Sequence, residues 1–488
     1  MSDGDIHLSL ISHTNIGKTT LARTLVGRDV GEVRDAAHVT DRAEAYVLAE
    51  TPEGDALRLW DTPGFGDSAR LARRLQQSGN PIGWFLTQVW DRFRDRPLWS
   101  SQQAVRNVRE QADLSLYLVN ASEDPADAGY VEPEMRILEW IGKPAIVLLN
   151  QSGEPRPRAQ EEADVLRWRK AVGHHRFVHD VLPLDAFARC WVQEFVLLRA
   201  IGGALPEAKR AAFERLAASW RARRMATFSA AMAAMTEHLA RTACDREPLD
   251  QQGMGARLRE VGKAMGLGAP GADSSKDRAM RALAERLDAG TRDSVERIVR
   301  EHGLEGRAAG EVLDRMAADF DVAAPMDEGK AAIVGGLVSG ALTGLAADLA
   351  AGGLTFGAGM LAGGILGALG SAGLARGFNL VSGKSAASVR WSDEVLHGLV
   401  RAALLRYLAV AHYGRGRGAW RESEYPPFWK DEVSAVLEPR RETFDAIWRE
   451  RGDDCDAERL AAMLREPLES AALDLLDRLY PGALAADG

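Results

Sequence analysis

The residues with the clearest chemical potential lie in the stretch SHTNIGKT at residues 12–19. A phosphate group is bound well by backbone N–H groups at the start of a helix, by a lysine that neutralises its charge and by a hydroxyl that ligates Mg²⁺. We predict that residues 12–19 form such a phosphate-binding loop, in which Lys18 contacts the β- and γ-phosphates and Thr19 ligates Mg²⁺. The other residues predicted to contact the nucleotide here are Asn15, Ile16, Gly17 and Thr20.

A second group of chemically competent residues occurs in the stretch DTPG at residues 61–64. Asp61 at the end of a strand can hold the Mg²⁺ ion, and Gly64 can turn its N–H toward a γ-phosphate. Between the two stretches, HVTDR offers Thr40 as a hydroxyl that closes over the metal, the alternative being an ordinary loop threonine. The predicted metal ligands are therefore Thr19, Thr40 and Asp61, and the predicted catalytic residues are Lys18, Thr40 and Gly64.

The elements that must position these residues are short β-rich runs alternating with helical segments. IHLSLI at 6–11 precedes the loop and TLARTLVG follows it, and further β-rich runs occur at 43–50, 56–62, 114–122 and 144–152. This alternation predicts an α/β domain with a mostly parallel sheet over residues 1–203. From about residue 205 the apolar residues recur at helical spacing, so we predict an all-α C-terminal region, with helical parts at 204–328 and 382–488.

A Gly/Ala-rich segment at residues 331–375 stands apart because its only ionisable residue is Asp348. Small residues at every fourth position, such as Gly336, Gly340 and Gly344, allow two helix backbones to approach closely. We predict an apolar helical hairpin within residues 329–381, with Asp348 at its turn. Two interpretations stay open: a hairpin that inserts in a bilayer, and one that is buried inside the helical region.

Charge and composition limit the partners and the compartment. The formal net charge of −9 gives no sign of phosphate-backbone binding, so no nucleic-acid partner is expected. Basic residues flank the hairpin on both sides, which predicts a cytoplasmic protein at the cytoplasmic face of the inner membrane, with a partner in that membrane reached through residues 331–375.

Neither the cysteines nor the clustered histidines match a metal-ligand pattern. The cysteines are far apart, at Cys190, Cys244 and Cys455, so we expect neither a disulfide framework nor a zinc site. The histidines at His174, His175 and His179 lack a matching cysteine or carboxylate pattern, so we expect a solvated loop there rather than a metal site.

The quoted motifs resemble the translation-factor-related GTPases, and within them the Era/TrmE-like branch. NIGKTTLARTL, VTDR and WDTPGFGD follow that family's order and spacing, and the resemblance covers residues 5–200. It implies a P-loop GTPase fold, GTP or GDP with Mg²⁺ as ligands, slow GTP hydrolysis and a nucleotide-dependent dimer. Phe65 lies where Ras-like enzymes have a water-orienting glutamine, and Asn15 lies where several relatives coordinate K⁺. The alternative for Asn15 is a loop-capping amide.

The base-recognition motif departs from this family. The family has Asn-Lys-x-Asp, whose carboxylate bonds to guanine, whereas this chain has the sequence NQSG at residues 150–153. Losing that partner should cost much of the base selectivity. Asn150 is retained, and the segment at 182–191 resembles the family's last motif, which places Ala186 near the base. Asp185 then either replaces the lost acid or caps a helix.

The sequence therefore predicts a Mg²⁺-dependent switch that binds and hydrolyses GTP and is coupled to a helical, membrane-associated C-terminal region. The chain resembles bacterial proteins that join an Era-like GTPase domain to a C-terminal domain of unknown function. The alternative is a nucleotide-binding scaffold that does not hydrolyse GTP, or a membrane-inserting or remodelling protein with a degenerate base site.

Overall fold

A computed structural model of the protein describes residues 4–27, 43–76, 82, 86, 96–152, 158–186, 189–248, 275–304, 378–382, 387–413 and 426–485. The described residues belong to two compact units. The first is drawn from residues 1–226, 411–426 and 476–488, and the second from residues 227–410 and 427–475.

The first unit is built on a six-stranded sheet with the strand order β2-β3-β1-β4-β5-β6. Strand β2 is antiparallel to β3, and all other neighbouring strands are parallel. The central strands are continuous apolar runs buried on both faces, as a parallel sheet requires. The prediction of a mostly parallel sheet is confirmed. The strands are β1 (Asp5–Ser12), β2 (Glu44–Glu50), β3 (Ala56–Asp61), β4 (Leu114–Asn120), β5 (Ala145–Asn150) and β6 (Val178–Pro183).

Strand β6 is the one strand of this sheet that the sequence patterns did not indicate. Its sequence VHDVLP carries His179 and Asp180 in the middle and ends in a proline, so it lacks a clear alternating pattern. The helices that connect the strands are α1 (Lys18–Val26), α2 (Ser68–Leu75), α3 (Arg96–Glu110), α4 (Val131–Ile141), α5 (Arg158–Val172) and α6 (Trp191–Ala204).

The region after residue 205 is mainly helical, as predicted. Helix α7 covers Glu207–Cys244 and α8 covers Ser275–Glu301, in agreement with the helical spacing of apolar residues in those segments. The later helices are α9 (Asp393–Ala411), α10 (Pro427–Leu437), α11 (Arg441–Arg449) and α12 (Ala457–Leu479).

A small antiparallel sheet corrects the prediction that the C-terminal region is all-α. It has the order β7-β9-β8, with β7 at Arg246–Pro248, β8 at Phe378–Ser382 and β9 at Ala387–Trp391. Strands of three to five residues are too short to show an alternating pattern in a sequence. In the central strand, Val389 and Trp391 point to one face and are fully buried.

The expectation that the cysteines are unpaired is wrong for two of them. Cys244 at the end of α7 and Cys455 before α12 form a disulfide with a Cα–Cα distance of 5.4 Å. They are separated by 211 positions in the sequence, and spacing along the chain carries no information about a pair that tertiary folding brings together. Cys190 is a buried free thiol.

The predicted Gly/Ala hairpin at 331–375 lies outside the described residues, so it stays a prediction. Among the helices that the structure does describe, none is long and apolar enough to cross a membrane.

Candidate nucleotide-binding site

The loop between β1 and α1 has the backbone conformation of an anion-binding turn. Asn15 has φ 66° and Gly17 has φ 90°, both in the left-handed region, and α1 begins at Lys18. Such turns direct successive N–H groups toward one point in front of a helix N-terminus. Glycine is needed at position 17 for a second reason, because an added Cβ would lie 2.8 Å from the Asn150 side-chain nitrogen.

Lys18 lies buried behind this loop. Its ammonium group donates to Ser12 Oγ at 2.9 Å and to the carbonyl of His13 at 3.4 Å, and its side chain is 8% exposed. Burial lowers the pKa of Lys18, which reflects the cost of holding a cation away from water. An anion in the loop would offset that cost. In this structure Ser12 Oγ and the His13 carbonyl hold the lysine ammonium in place.

Thr19 and Asp61, two of the predicted metal ligands, lie in contact in the structure. The Thr19 hydroxyl donates to Asp61 Oδ2 at 2.6 Å, and among the described residues the buried Asp61 Oδ1 has no hydrogen-bond partner. Burial raises the pKa of Asp61 to about 6, although the hydrogen bond from Thr19 and the charge of Lys18 oppose this shift. A hydroxyl oxygen beside an unpartnered carboxylate oxygen fits Mg²⁺, which prefers oxygen ligands. Thr40, the third predicted ligand, lies outside the described residues.

The stretch after Asp61 is held directly against the phosphate-binding loop. Phe65 N–H donates to the Ser12 carbonyl at 2.9 Å, and Thr14 N–H donates to the Phe65 carbonyl at 3.2 Å. An added Cβ on Gly64 would lie 3.0 Å from both Lys18 Nζ and Thr14 Cα, so a side chain there would force these neighbours to shift. The Phe65 ring is fully buried in the core, which means that it packs and does not face the loop.

Asn150 joins the loop to the predicted base-binding segment. Its side chain is fully buried, donates to the Ile16 carbonyl at 2.6 Å and accepts from Ala186 N–H at 2.8 Å. The Ala186 carbonyl accepts in turn from the Thr24 hydroxyl on α1 at 2.9 Å. Asn150 and Ala186 therefore lie together beside the loop between β1 and α1, and their contact with a nucleotide stays a prediction. Gly153 lies outside the described residues.

Asp185 lies beside the same segment and does not cap a helix. Its Oδ2 accepts from the Ser152 N–H at 2.7 Å, so its carboxylate faces the turn that follows β5. Helix α6 begins at Trp191, with Cys190 at its N-cap position, which leaves no capping role for Asp185. The side chain is only 8% exposed.

A buried polar network behind the loop was missed by the sequence analysis. Glu134 of α4 is fully buried; its Oε1 pairs with His13 Nδ1 at 2.8 Å and its Oε2 accepts from the Tyr117 hydroxyl at 2.8 Å. The Tyr130 ring stacks on His13 at a centroid distance of 4.7 Å. Burial raises the pKa of Glu134. The sequence did contain a signal for this network, namely a carboxylate on the apolar side of an amphipathic helix. A carboxylate in that position becomes buried, and a buried charge needs polar partners.

The fold and the site together define the class of this protein. A mostly parallel sheet with a phosphate-type loop between β1 and α1 and a buried carboxylate at the end of β3 is a P-loop nucleotide-binding domain. Residues 7–151 match the family model described as "50S ribosome-binding GTPase". Residues 174–459 match the model described as "Domain of unknown function (DUF3482)", and the chain belongs to that family. The predicted combination of an Era-like GTPase domain with such a C-terminal domain is confirmed.

Individual GTPases also resemble this chain over part of its length. GTPase Era of Heliobacterium modesticaldum is 26% identical over 144 residues, which are 30% of this chain and 38% of that protein. GTPase Der of Levilactobacillus brevis is 28% identical over 151 residues, 31% of this chain and 28% of that protein. A crystal structure of Era from Aquifex aeolicus bound to GDP·AlF4⁻ is 19% identical, with a TM-score of 0.32, and the match covers 42% of this chain and 58% of that one. The matches thus cover less than half the length of the two curated relatives, GTPase Era of Heliobacterium modesticaldum and GTPase Der of Levilactobacillus brevis.

Proposed function

We propose that the protein is a Mg²⁺-dependent switch that binds GTP, hydrolyses it slowly and transmits the nucleotide state to its helical C-terminal region. The observation that carries this proposal is the hydrogen bond between Thr19 and Asp61 beside the loop behind which Lys18 is buried. The second carboxylate oxygen of Asp61 has no hydrogen-bond partner among the described residues. The match to a GTPase family model over residues 7–151 supports the choice of nucleotide.

Each residue of the site has a definite task in this proposal. Lys18 exchanges its contacts with Ser12 and His13 for the β- and γ-phosphates, and the N–H groups of the loop bind the phosphate oxygens. Thr19 and Asp61, together with Thr40, would hold Mg²⁺, which when bound neutralises charge on the phosphates. Gly64 can bring its N–H close to the γ-phosphate because it carries no side chain.

We assign recognition of the guanine base to Asp185. The family reads guanine N1–H and N2–H with a carboxylate at a position that is Gly153 in this chain. The Asp185 carboxylate touches Ser152, the residue before Gly153, and the next residue, Ala186, is held by Asn150. In this proposal Asp185, in the turn after β6, takes the role that a carboxylate in the turn after β5 has in the family, because it faces the same segment.

A scaffold that binds GTP without hydrolysing it is the second candidate. It is favoured by the full burial of Phe65, because the residue at the position of a water-orienting glutamine then offers no polar group to an attacking water. Titration with GDP, GTP, ADP and ATP, followed by turnover measurements in K⁺ and in Na⁺, separates the candidates. Turnover of GTP in either salt supports the switch, whereas tight GTP binding with no turnover supports the scaffold.

Asn15 is proposed to coordinate an activating K⁺ ion. Its side chain is exposed and its backbone has φ 66°, so alanine would be strained there while glycine would not. In Asn15→Gly we expect the stimulation of GTP hydrolysis by K⁺ over Na⁺ to disappear and GTP affinity to change by less than about threefold. Turnover in the two salts measures this. Unchanged K⁺ stimulation would reduce Asn15 to a residue of the turn.

Acidification should weaken the Mg²⁺-dependent part of nucleotide binding. Mg²⁺ requires the ionised Asp61 carboxylate, and burial raises the pKa of Asp61 to about 6 from an ordinary value of 3.8. Since the raised pKa favours the protonated form, the ionised fraction falls as the pH drops through 6, to about one tenth at one unit below the pKa. We therefore expect GTP affinity in Mg²⁺ to fall about tenfold between pH 7.5 and pH 5. The same titration in EDTA is the control, and an equal pH dependence there would contradict this assignment.

We further propose that residues 331–375 bring the protein to the cytoplasmic face of the inner membrane. The support is their sequence, in which 45 residues contain one ionisable group and basic residues flank the segment. We expect the full chain to co-sediment with anionic liposomes and a variant with a Gly/Ser linker in place of residues 331–375 to stay in the supernatant. Equal co-sedimentation of both proteins would rule out this segment as the membrane contact.

A further inference from the structure

A cluster of metal-ligand side chains lies outside the nucleotide site, on helix α4 and on the turn between α5 and β6. It consists of Glu132, His174 and His175, and one ligand atom of each lies within 4.8 Å of the others. Glu132 is in the first turn of α4, and the two histidines follow the end of α5. The local sequence around the histidines contains no carboxylate ligand, and the fold supplies it from a helix more than forty positions earlier in the chain.

His175 is the residue that points to a bound ion. Its side chain is 8% exposed, and its Nε2 is buried and makes no hydrogen bond to any described residue. The nearest carboxylate oxygen, Glu132 Oε2, lies 3.7 Å away, which is beyond hydrogen-bond distance. A buried imidazole nitrogen without a partner is costly, and a cation between it and the carboxylate would satisfy both.

Contacts with neighbouring residues position the Glu132 side chain and the His175 backbone. Arg136 donates to Glu132 Oε1 at 3.1 Å, which leaves Oε2 directed at His175. Both backbone polar groups of His175 are hydrogen-bonded. Its N–H donates to the Val172 carbonyl at 3.2 Å, and its carbonyl accepts from Val178 N–H at 3.0 Å. The rings of His174 and His175 lie 4.0 Å apart, so both imidazoles border the same space.

We propose that Glu132, His174 and His175 form a binding site for a divalent transition-metal ion of the Zn²⁺ class. Ligand atoms lie about 2.0–2.2 Å from Zn²⁺ in a tetrahedral arrangement, so two ligands of one ion are about 3.5 Å apart. The three ligand atoms here lie within 4.8 Å of one another, so ion binding draws them together by up to about 1.3 Å, which rotation about side-chain torsions supplies. Two imidazoles and one carboxylate select Zn²⁺ and similar ions over Mg²⁺ and Ca²⁺, which prefer oxygen ligands only.

This site is distinct from the predicted Mg²⁺ site, but helix α4, which carries Glu132, also contacts the nucleotide loop. Glu134, two positions after Glu132, projects from the other side of α4 and pairs with His13 of the loop. An ion bound by Glu132 and the two histidines would join α4 to the turn before β6. The same helix would then be fixed on one side by the metal and on the other by the loop.

Calorimetric titration of the full chain with Zn²⁺, in excess Mg²⁺ and GDP so that the nucleotide site is saturated, tests the proposal. We expect one Zn²⁺ ion per chain, and at least about tenfold weaker binding in each of Glu132→Gln and His174→Ala. Both side chains are exposed, so neither variant should disturb the fold, and circular dichroism checks this. The matched control is His179→Ala, which removes an exposed histidine of β6 and should leave Zn²⁺ affinity unchanged.

Two results would overturn the proposal. One is the absence of Zn²⁺ binding to the wild-type chain at micromolar concentrations. The other is binding of equal strength in the wild type, Glu132→Gln and His174→Ala, which would place the ion elsewhere. Replacing Zn²⁺ by Co²⁺ provides a second readout, because visible absorption bands of bound Co²⁺ should appear in the wild type and in His179→Ala and be lost in His174→Ala.

Discussion

Replacing Lys18 with methionine should lower the affinity for GTP by about 30-fold or more. The free energy of unfolding of the nucleotide-free protein should not fall, and should stay within about 1 kcal/mol of the wild-type value. Lys18 is the buried cation closest to the proposed phosphate position, and truncating one partner of a buried charge pair typically costs about 2–5 kcal/mol of binding. Because burial lowers the pKa of Lys18, the nucleotide-free fold holds this cation at a cost, and methionine removes that cost while filling the same space.

The two opposite readouts make this variant informative. A residue that only supports the fold would lower both the nucleotide affinity and the thermal midpoint, whereas a phosphate ligand lowers the affinity alone. Lys170→Met, on an exposed position of α5, is the matched control and should change neither quantity. Fluorescent GTP titration and thermal unfolding measure the two effects. GTP affinity within threefold of the wild type in Lys18→Met would contradict the proposed nucleotide site.

Replacing Asp185 with asparagine should change which base the protein prefers. A carboxylate accepts from guanine N1–H and N2–H, whereas an asparagine amide can accept from N1–H and donate to the oxygen that xanthine carries in place of N2. We expect GTP affinity to fall about 10- to 100-fold, since one buried polar partner is lost at about 1–3 kcal/mol. XTP affinity should rise, so that the ratio of XTP to GTP affinity increases at least about 100-fold.

The design of this substitution keeps the local structure intact. Asparagine retains an oxygen that can accept from Ser152 N–H, so the contact that positions residue 185 survives. Asp180→Asn in the preceding strand β6 is the matched control, because that carboxylate is held by Arg169 and lies outside the proposed base site. Competition titrations with GTP, XTP and ATP measure the selectivity. An unchanged ratio of XTP to GTP affinity in Asp185→Asn would assign base recognition to another group.

Local patterns were sufficient for the main elements of the first unit. The apolar runs at 6–11, 114–122 and 144–152 became β1, β4 and β5, because a strand buried on both faces must be apolar along its whole length. Helices α7 and α8 were long enough for their apolar spacing to be visible. Strand β6 and the three short strands of the second unit were not predicted, since each is too short or too polar to show a period of two.

Local sequence alone was enough to predict which residues would bind phosphate and Mg²⁺. Residues 12–19 and 61–64 each follow an apolar strand, and the residue types there are those that bind phosphate and Mg²⁺. The structure places the Thr19 hydroxyl 2.6 Å from Asp61 Oδ2, and a Mg²⁺ ion shared by the two residues stays a prediction. Such motifs can be read from a sequence because each consists of a few residues next to one another in the chain.

Contacts between residues distant in the chain could be recognised only in the folded protein. Examples are Glu134 with His13, Asp185 with Ser152, Cys244 with Cys455, and the approach of Glu132 to His175. Each pair joins segments that lie in different helices, strands or loops, and hydrophobic burial sets which of those elements pack together without regard to the polar groups they carry. A pattern in one segment therefore cannot reveal the partner that the fold places beside it.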